Sequence, residues 1–305
     1  MNNAVHLDKC PVCGSTEIYQ YEFCVDYLTS SVLFPLFHCR DCGFMFTQDF
    51  PNEENIGQYY ASENYTSHHE AKGLFGLAYK MVRSFMLCKK AALVKKYQQN
   101  GRLLDIGCGQ GHFLRKMEAK GFEVFGVEKN EEVRKIVKEE YSIELQNSDW
   151  LTKQKDESFN AITMWHSLEH IENLNETMRE ANRLLAKDGV LVIALPNVKS
   201  YDQKYYKLYW AGYDVPRHLW HFSPKTFKIL AKNNGFEIKK RKPMLFDVFY
   251  LSILSERNKN LNIRKKQSGL PALKGLLFGF WACLKTLKKP KKASSIIYVL
   301  KKINE

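Results

Sequence analysis

The part of this 305-residue sequence best suited to chemistry is a glycine-rich segment about one third of the way along it. A short apolar run ends at Asp105, and Gly107, Gly109 and Gly111 follow at every second position before an amphipathic stretch. The pattern predicts a buried strand, a tight turn and a helix. Glycine lets the backbone turn sharply and lets a ligand lie against it. A dinucleotide-binding turn would have its third glycine at position 112, where this chain has His112, so another nucleoside ligand fits better.

A second acidic residue follows at the end of the next apolar run. Residues 122–127 read as a strand, and Glu128 comes directly after it. A carboxylate at the carboxyl end of such a strand can accept hydrogen bonds from both hydroxyls of a ribose. The two segments together predict a nucleoside site at one edge of a sheet.

This succession of motifs resembles the class I S-adenosylmethionine-dependent methyltransferases. Residues 159–171 resemble the family's fourth strand and the loop beside the methyl group, and residues 184–197 resemble a helix end, a turn and the fifth strand. One departure is Asn160, where family members usually carry Asp. Asp149 and Trp150 stand where the family places its adenine contacts. The resemblance implies a set of S-adenosylmethionine-binding residues: Asp105, Gly107, Gly109, Gly111, Glu128, Asp149 and Trp150.

The N-terminal region carries a separate signal for a metal. Cys10 and Cys13 form one Cys-x-x-Cys motif, and Cys39 and Cys42 form a second. Four thiolates at this spacing complete a closed tetrahedral site, which predicts structural and not catalytic Zn²⁺ on a small zinc ribbon. Two disulfides are the competing interpretation. The other cysteines lack obvious partners and no signal peptide is evident, so we expect a reducing cytoplasm.

Two further segments hold residues that could act on a methyl acceptor. His166, Glu169 and His170 border the fourth predicted strand, and His218 and His221 lie in a loop rich in aromatic residues after the fifth. Ligands bind at the carboxyl ends of strands in such sheets, so we predict catalytic roles for His166, His218 and His221. A hydrogen-bonded pair that holds the loop is the alternative for His218 and His221. For Glu169 a structural role is an equal alternative.

The order of segments predicts an α/β fold with a doubly wound, seven-stranded, mostly parallel sheet. We expect a zinc-ribbon module over residues 1–50, a linker and helix over 51–100, and the methyltransferase domain over 101–305. Within 51–72 we expect a loop and a short helix that includes Tyr65. Residues 294–300 resemble the family's antiparallel seventh strand, so residues 244–293 would be an insertion.

The net charge of +13 is concentrated in the C-terminal tail. Residues 238–305 hold 17 Lys and Arg against 3 Asp and Glu, an excess of 14. The same tail has apolar residues, including Phe280 and Trp281, on one helical face. A basic helix with such a face suits an anionic membrane surface, so we expect a cytoplasmic protein with peripheral membrane contact. Packing of this face on the protein's own domain is the alternative.

The features together predict transfer of a methyl group to oxygen or carbon of a small-molecule or glycan-precursor acceptor. The sequence around residues 216–223 also resembles a bacterial group of zinc-ribbon methyltransferases, several associated with surface-polysaccharide or modified-sugar synthesis. An RNA methyltransferase is one rival. However, the ribbon has only Lys9 and Arg40 against five acidic residues between positions 8 and 41, and nucleic acid requires a basic surface. A non-catalytic zinc-containing binding subunit is the other rival.

Overall fold

The computed structural model of the chain describes residues 4–60, 73–264 and 270–303. Part of the loop and short helix expected at 51–72, including Tyr65, lies outside the described residues. The N-terminal segment contains five strands: β1 (Ala4–Val5), β2 (Ile18–Val25), β3 (Leu33–Cys39), β4 (Met45–Thr47) and β5 (Phe50–Pro51). β2, β3 and β4 form an antiparallel sheet, and β1 pairs with β5.

The rest of the described chain alternates between helices and strands, as the sequence predicts. The elements are α1 (Gly73–Lys95), β6 (Gly101–Ile106), α2 (His112–Glu118), β7 (Phe122–Val127), α3 (Glu131–Tyr141), β8 (Phe159–Trp165), α4 (Leu174–Leu184), β9 (Leu185–Pro196), α5 (Tyr201–Tyr206), β10 (Trp220–His221), α6 (Pro224–Asn233), β11 (Phe236–Met244), α7 (Asp247–Arg264), α8 (Leu270–Lys288) and β12 (Ser295–Lys302).

The large sheet has the order β11-β12-β9-β8-β6-β7. β7, β6, β8 and β9 are parallel, while β12 runs antiparallel to both β9 and β11. This confirms the mostly parallel α/β fold and the antiparallel last strand. The expected number of seven strands is wrong for the described residues, which form six. The segment after α3 pairs with β7 only through a single bridge between Val127 and Gln146, because it leaves the sheet directly afterwards.

The sheet is buried on both faces, which explains its apolar strands. Val190, Val192 and Ala194 of β9 face one apolar cluster, whereas Leu191 and Ile193 face another. Helices therefore cover both sides of the sheet. This arrangement directs the carboxyl ends of β6, β7, β8 and β9 toward one edge, where the predicted cofactor and acceptor residues lie.

The N-terminal segment that the sequence predicts to be a zinc ribbon, hereafter the ribbon, packs into the larger domain. β10, which follows the fifth predicted strand in sequence, pairs with β4, so the small sheet has the order β10-β4-β3-β2. Phe44 of the ribbon packs against Trp220 and Phe222, with ring centroids 6.4 and 5.4 Å apart. The ribbon and the loop that carries His218 and His221 are thus parts of one packed unit.

Two antiparallel-sheet neighbours, β11 and β12, are separated in sequence by α7 and α8. The two helices approach closely at Gly275 and Gly279, where a Cβ atom would lie 2.6 Å from Ile253 Cα and 2.9 Å from Phe249 Cδ1. Among the described residues, no helix combines the length and the apolar character needed to cross a membrane.

Candidate active site

The glycine-rich turn between β6 and α2 has the backbone conformation that its sequence predicts. Gly107, Gly109 and Gly111 have φ values of 73°, 52° and 69°, in the region that favours glycine. A Cβ atom at Gly107 would lie 2.4 Å from Cβ of Ser167, whereas no described atom would lie within 4 Å of one at Gly109. The turn therefore packs tightly at its start and presents open backbone at Gly109.

Glu128 lies against this turn. Its Oε2 accepts a hydrogen bond from the amide of Gly109 at 3.0 Å, and its Oε1 accepts one from the amide of Asn130 at 3.0 Å. The turn is also joined to β7, the strand that precedes Glu128, because the amides of Gly107 and Cys108 donate to the carbonyl of Val127. The structure thus brings the predicted ribose-binding carboxylate and the glycine turn together.

Asp105 is buried at the end of β6, with 2% of its surface exposed. Burial raises the pKa of its carboxyl to about 7, although the hydroxyl of Thr163 donates to Oδ1 at 2.6 Å. A buried carboxyl of this kind next to the glycine turn can hold a ligand's cationic group, which would restore its negative charge.

Asp149 and Trp150 lie in a short helical turn, Ser148–Lys153, that follows α3. The indole of Trp150 stacks on Phe125, with centroids 5.8 Å apart, so the core fixes its orientation. Asp149 is exposed. His112 begins α2, where its ring nitrogens contact the Tyr141 hydroxyl at 2.9 Å and Arg83 Nη1 at 3.0 Å. The adenine contacts of Asp149 and Trp150 stay a prediction.

The four cysteines of the two Cys-x-x-Cys motifs converge. Cys10 Sγ lies 3.6 Å from Cys42 Sγ, and Cys13 Sγ lies 3.6 Å from Cys39 Sγ. All four sulfur atoms lie within 4.8 Å of one another. Sulfur atoms about 2.3 Å from a tetrahedral Zn²⁺ are about 3.8 Å apart, whereas a disulfide needs about 2.05 Å. The geometry fits a zinc ion and not the disulfide alternative, and the cluster includes neither Cys24 nor His38.

His166 follows β8 and is held by two carboxylates. Its Nδ1 lies 3.2 Å from Glu169 Oε1 and its Nε2 lies 3.0 Å from Asp247 Oδ2. Removal from bulk water would lower the pKa of His166, but the hydrogen bonds to Asp247 and Glu169 outweigh this effect and raise it to about 9. Both ring nitrogens of His166 are thus engaged with carboxylates, and its catalytic role stays a prediction.

His170 and His218 lie against each other close to Glu169, with ring centroids 4.5 Å apart. His170 Nδ1 lies 3.0 Å from the carbonyl oxygen of Arg217 and 3.1 Å from the hydroxyl of Tyr60. Burial and the neighbouring His218 lower the pKa of His170 to about 4, so this imidazole is neutral. Among the predicted histidines, His218 is the one that the structure places against His170, and its Nε2 lies 3.9 Å from Asp214 Oδ2.

His221 lies apart from this group. It is 3% exposed and its Nε2 contacts Thr47 Oγ1 at 3.0 Å. The Thr47 hydroxyl donates its proton to the carbonyl of His218, so His221 must be the donor to Thr47. Burial lowers the pKa of His221 to about 3. This buried, neutral histidine joins the loop to β4, which supports the structural alternative, and its catalytic role stays a prediction.

A buried ion-pair network lies behind these histidines. Arg217 is 1% exposed, and its guanidinium donates to Asp26 Oδ1 at 2.9 Å and to Asp214 Oδ1 at 2.8 Å. It also donates to the carbonyl oxygen of Tyr59 at 2.9 Å. Asp26 belongs to the ribbon and Asp214 to the loop after β9, so Arg217 joins three segments around the site.

Sequence reasoning named His170 beside His166 and Glu169 but missed other partners in this site. Asp247 lies 81 positions after His166 and at the start of the inserted helices, so no local pattern connects the two. The pairing of Asp26 with Arg217 spans 191 positions and depends on how the ribbon docks.

Comparisons with known proteins agree with this geometry. The model of a family described as a methyltransferase domain matches residues 81–240. The ubiquinone biosynthesis O-methyltransferase of Pelagibacter ubique is 29% identical over 164 residues, which cover 49% of this chain and 67% of that protein. An uncharacterised methyltransferase of Alkaliphilus oremlandii is 27% identical over 100 residues, which cover 32% of this chain and 46% of that protein.

The chain is also similar to solved structures. The phosphoethanolamine N-methyltransferase 2 of Haemonchus contortus has a TM-score of 0.50 at 15% identity, over 85% of this chain and 63% of that one. A methyltransferase of Archaeoglobus fulgidus that depends on S-adenosylmethionine has a TM-score of 0.48 at 20% identity, over 75% of this chain and 100% of that one. The family match covers more than half of the sequence. The glycine turn, Glu128 and the sheet also have the arrangement that such a domain requires. The chain therefore belongs to the S-adenosylmethionine-dependent methyltransferases.

Proposed function

We propose that this methyltransferase acts on oxygen or carbon of a small-molecule or glycan-precursor acceptor. The observation that carries the proposal is the group of acid–base side chains at the carboxyl edge of β8, formed by Glu169, His170 and His218. Methyl transfer from a sulfonium is an in-line displacement, so positioning supplies much of the rate. A hydroxyl or an acidic C–H acceptor must also lose a proton, and neutral imidazole and carboxylate groups can take it.

Two comparisons support a small acceptor. The Pelagibacter relative is named for an O-methyltransferase step in ubiquinone biosynthesis. The zinc-ribbon group that the sequence resembles includes enzymes of surface-polysaccharide and modified-sugar synthesis, which supports a glycan precursor. RNA is the weaker candidate because the ribbon carries little positive charge.

A labelled-methyl assay tests this proposal. Purified protein is incubated with radiolabelled S-adenosylmethionine and separate pools of sugar nucleotides, polar lipid extract and total RNA, with Glu128→Ala as the inactive control. We expect label in a small-molecule pool that resists nuclease. Label confined to RNA would support the rival enzyme class, and no transfer to any pool by a protein that binds S-adenosylhomocysteine would support the non-catalytic subunit.

We propose that Cys10, Cys13, Cys39 and Cys42 hold one structural zinc. Four protein thiolates leave no open position for substrate, and a ribbon of about 45 residues is too small for a large core of its own. Cys39→Ser should release the zinc and lower stability, with Cys88→Ser, an exposed cysteine outside the cluster, as the control. Metal analysis that finds no zinc in folded wild-type protein would contradict the assignment.

We also propose that α8 contacts an anionic membrane surface. Its Leu277, Phe280 and Leu287 are 65%, 60% and 60% exposed, and α7 packs against the opposite side of the helix at Gly275 and Gly279. Lysines 274, 285, 288 and 289 border or follow this face. Each base near an anionic surface contributes about 1 kcal/mol, and salt screens the attraction.

Liposome flotation tests the membrane proposal. Wild-type protein should float with vesicles that contain phosphatidylserine and lose binding at high salt. Phe280→Asp should reduce flotation strongly. Ile136→Asp, which introduces the same charge on α3 at an apolar residue that is 45% exposed, should not reduce flotation. Equal behaviour of the two variants would refute a role for this face.

A further inference from the structure

A second cluster of possible metal ligands lies at the acceptor side, apart from the four cysteines. Glu169 and His170 belong to the short helical turn Leu168–His170 that follows β8, and His218 comes from the loop before β10. One ligand atom from each of the three lies within 4.8 Å of the other two. The cluster therefore joins the turn that follows β8 to the aromatic loop that packs against the ribbon.

The hydrogen bonds of the two histidines determine which nitrogen is free. His170 Nδ1 lies 3.0 Å from the carbonyl oxygen of Arg217, and His218 Nδ1 lies 2.9 Å from the carbonyl oxygen of Gly212. A carbonyl oxygen only accepts, so each Nδ1 donates a hydrogen. Nε2 is the nitrogen that each ring can offer to a metal, and that of His218 lies 3.9 Å from Asp214 Oδ2. Metal-binding histidines are commonly oriented in this way, through a backbone carbonyl at the other nitrogen.

Glu169 supplies the third acceptor. Its side chain is completely buried, and Oε1 takes the hydrogen bond from His166. Oε2 is buried without a hydrogen-bond partner among the described residues. A buried acceptor left unpaired costs about 1–3 kcal/mol, and more when it is charged. The unpaired oxygen of Glu169 and a ligand atom from each histidine thus lie within 4.8 Å of one another if Oε2 is the atom that Glu169 offers, and the carboxylate of Asp214 lies 3.9 Å from His218 Nε2, so a cation would be stabilised here.

We propose that Glu169, His170 and His218 bind a divalent transition-metal ion, of the kind that imidazole and carboxylate ligands select, such as Zn²⁺, Mn²⁺ or Fe²⁺. Nitrogen and oxygen ligands lie about 2.0–2.2 Å from such a metal and so about 3–3.5 Å from one another. Ligand atoms that now lie up to 4.8 Å apart would have to approach one another by up to about 1–2 Å to reach these distances.

Three protein ligands leave at least one position open, in contrast to the closed cysteine site. The chemistry that such an ion supplies is binding of an acceptor oxygen and a lower pKa for its hydroxyl. Asp247 and Glu169 hold His166, and the two backbone carbonyls hold the rings, so the ligands are supported by a surrounding shell. The proposed metal site does not depend on the identity of the methyl acceptor. The action of the metal on an acceptor hydroxyl, however, rests on the proposed function.

Metal stoichiometry of the full-length protein tests the site without an activity measurement. The protein is equilibrated with 100 µM Zn²⁺ or Co²⁺, the free metal is removed, and bound metal is counted by mass spectrometry. We expect two equivalents in wild type. Glu169→Gln and His218→Ala should each retain one equivalent and weaken the second site more than tenfold in titration calorimetry. His6→Ala, an exposed histidine of the ribbon segment, should retain two.

Cobalt absorption separates the two sites. Co²⁺ at the cysteines gives sulfur-to-metal charge-transfer bands, whereas Co²⁺ at the proposed site should add weak visible bands without them. S-adenosylhomocysteine binding and circular dichroism show that each variant is folded. One metal equivalent in wild type, or a second equivalent that Glu169→Gln retains unchanged, would overturn the proposal. In either case the proposed methyl acceptor could still stand, because the labelled-methyl assay tests it separately.

Discussion

The strongest structural prediction concerns Arg217, the buried guanidinium that joins the ribbon to the acceptor-side loop. Arg217→Met removes the cation between Asp26, which is 0% exposed, and Asp214, which is 13% exposed, but preserves much of the side chain's volume. Removing one partner of a buried ion pair typically destabilises a protein by about 3–5 kcal/mol, because an uncompensated charge remains.

The structure places this variant near the lower end of that range. Asp26 keeps other donors, since its carboxylate also accepts hydrogen bonds from the amides of Leu28, Thr29 and Ser30. Asp214 depends more strongly on the guanidinium: burial alone would raise its pKa, but Arg217 and His218 outweigh burial and lower it. We therefore expect a loss of about 3 kcal/mol in the free energy of unfolding.

Urea unfolding monitored by fluorescence and circular dichroism measures this loss. Arg115→Met is the matched control, because Arg115 is exposed, and it should change stability by less than about 0.5 kcal/mol. The lowered pKa of Asp214 gives stability that is present above about pH 4 and is lost as pH falls through the folded value. Arg217→Met should lose that acid dependence. If Arg217→Met lowers the free energy of unfolding by less than about 1 kcal/mol, a loss close to that of the control, the reasoning is refuted.

Three further predictions follow from the packing. Gly107→Ala should lower the free energy of unfolding by about 1–3 kcal/mol, because its Cβ would lie 2.4 Å from Ser167 Cβ, whereas Gly109→Ala, whose Cβ meets no described atom within 4 Å, should lose less; equal losses in urea unfolding would contradict this. The pKa of Asp105 is raised to about 7, so the free energy of unfolding should fall as pH rises from about 4 to 7. Asp105→Asn should remove about 2–4 kcal/mol of the decline between pH 5 and 8. An unchanged dependence of the unfolding free energy on pH, measured by urea unfolding, would count against this. Gly275→Ala should destabilise by about 1–3 kcal/mol through overpacking against Ile253, and an unchanged melting temperature would show that the helices adjust.

Local sequence determined the parts of this protein that depend on local backbone geometry. Gly107, Gly109 and Gly111 mark the turn because their positive φ values suit glycine, whichever residues surround them. The two Cys-x-x-Cys motifs each bring two thiolates to one side of a short turn. The alternation of apolar segments likewise indicated a mostly parallel sheet, because strands buried on both faces require continuous apolar runs.

Tertiary structure alone decided which side chains meet. His166 and His221 were both predicted to be catalytic histidines, yet two carboxylates hold the first and a threonine of the ribbon holds the second. The segment after α3 contributes one bridge and no strand to the large sheet, so the described residues form six strands there and not the expected seven. These outcomes depend on contacts between segments far apart in sequence, such as Asp247 with His166. Burial and neighbouring charges there set each group's protonation, and neither is encoded in the spacing of residues along the chain.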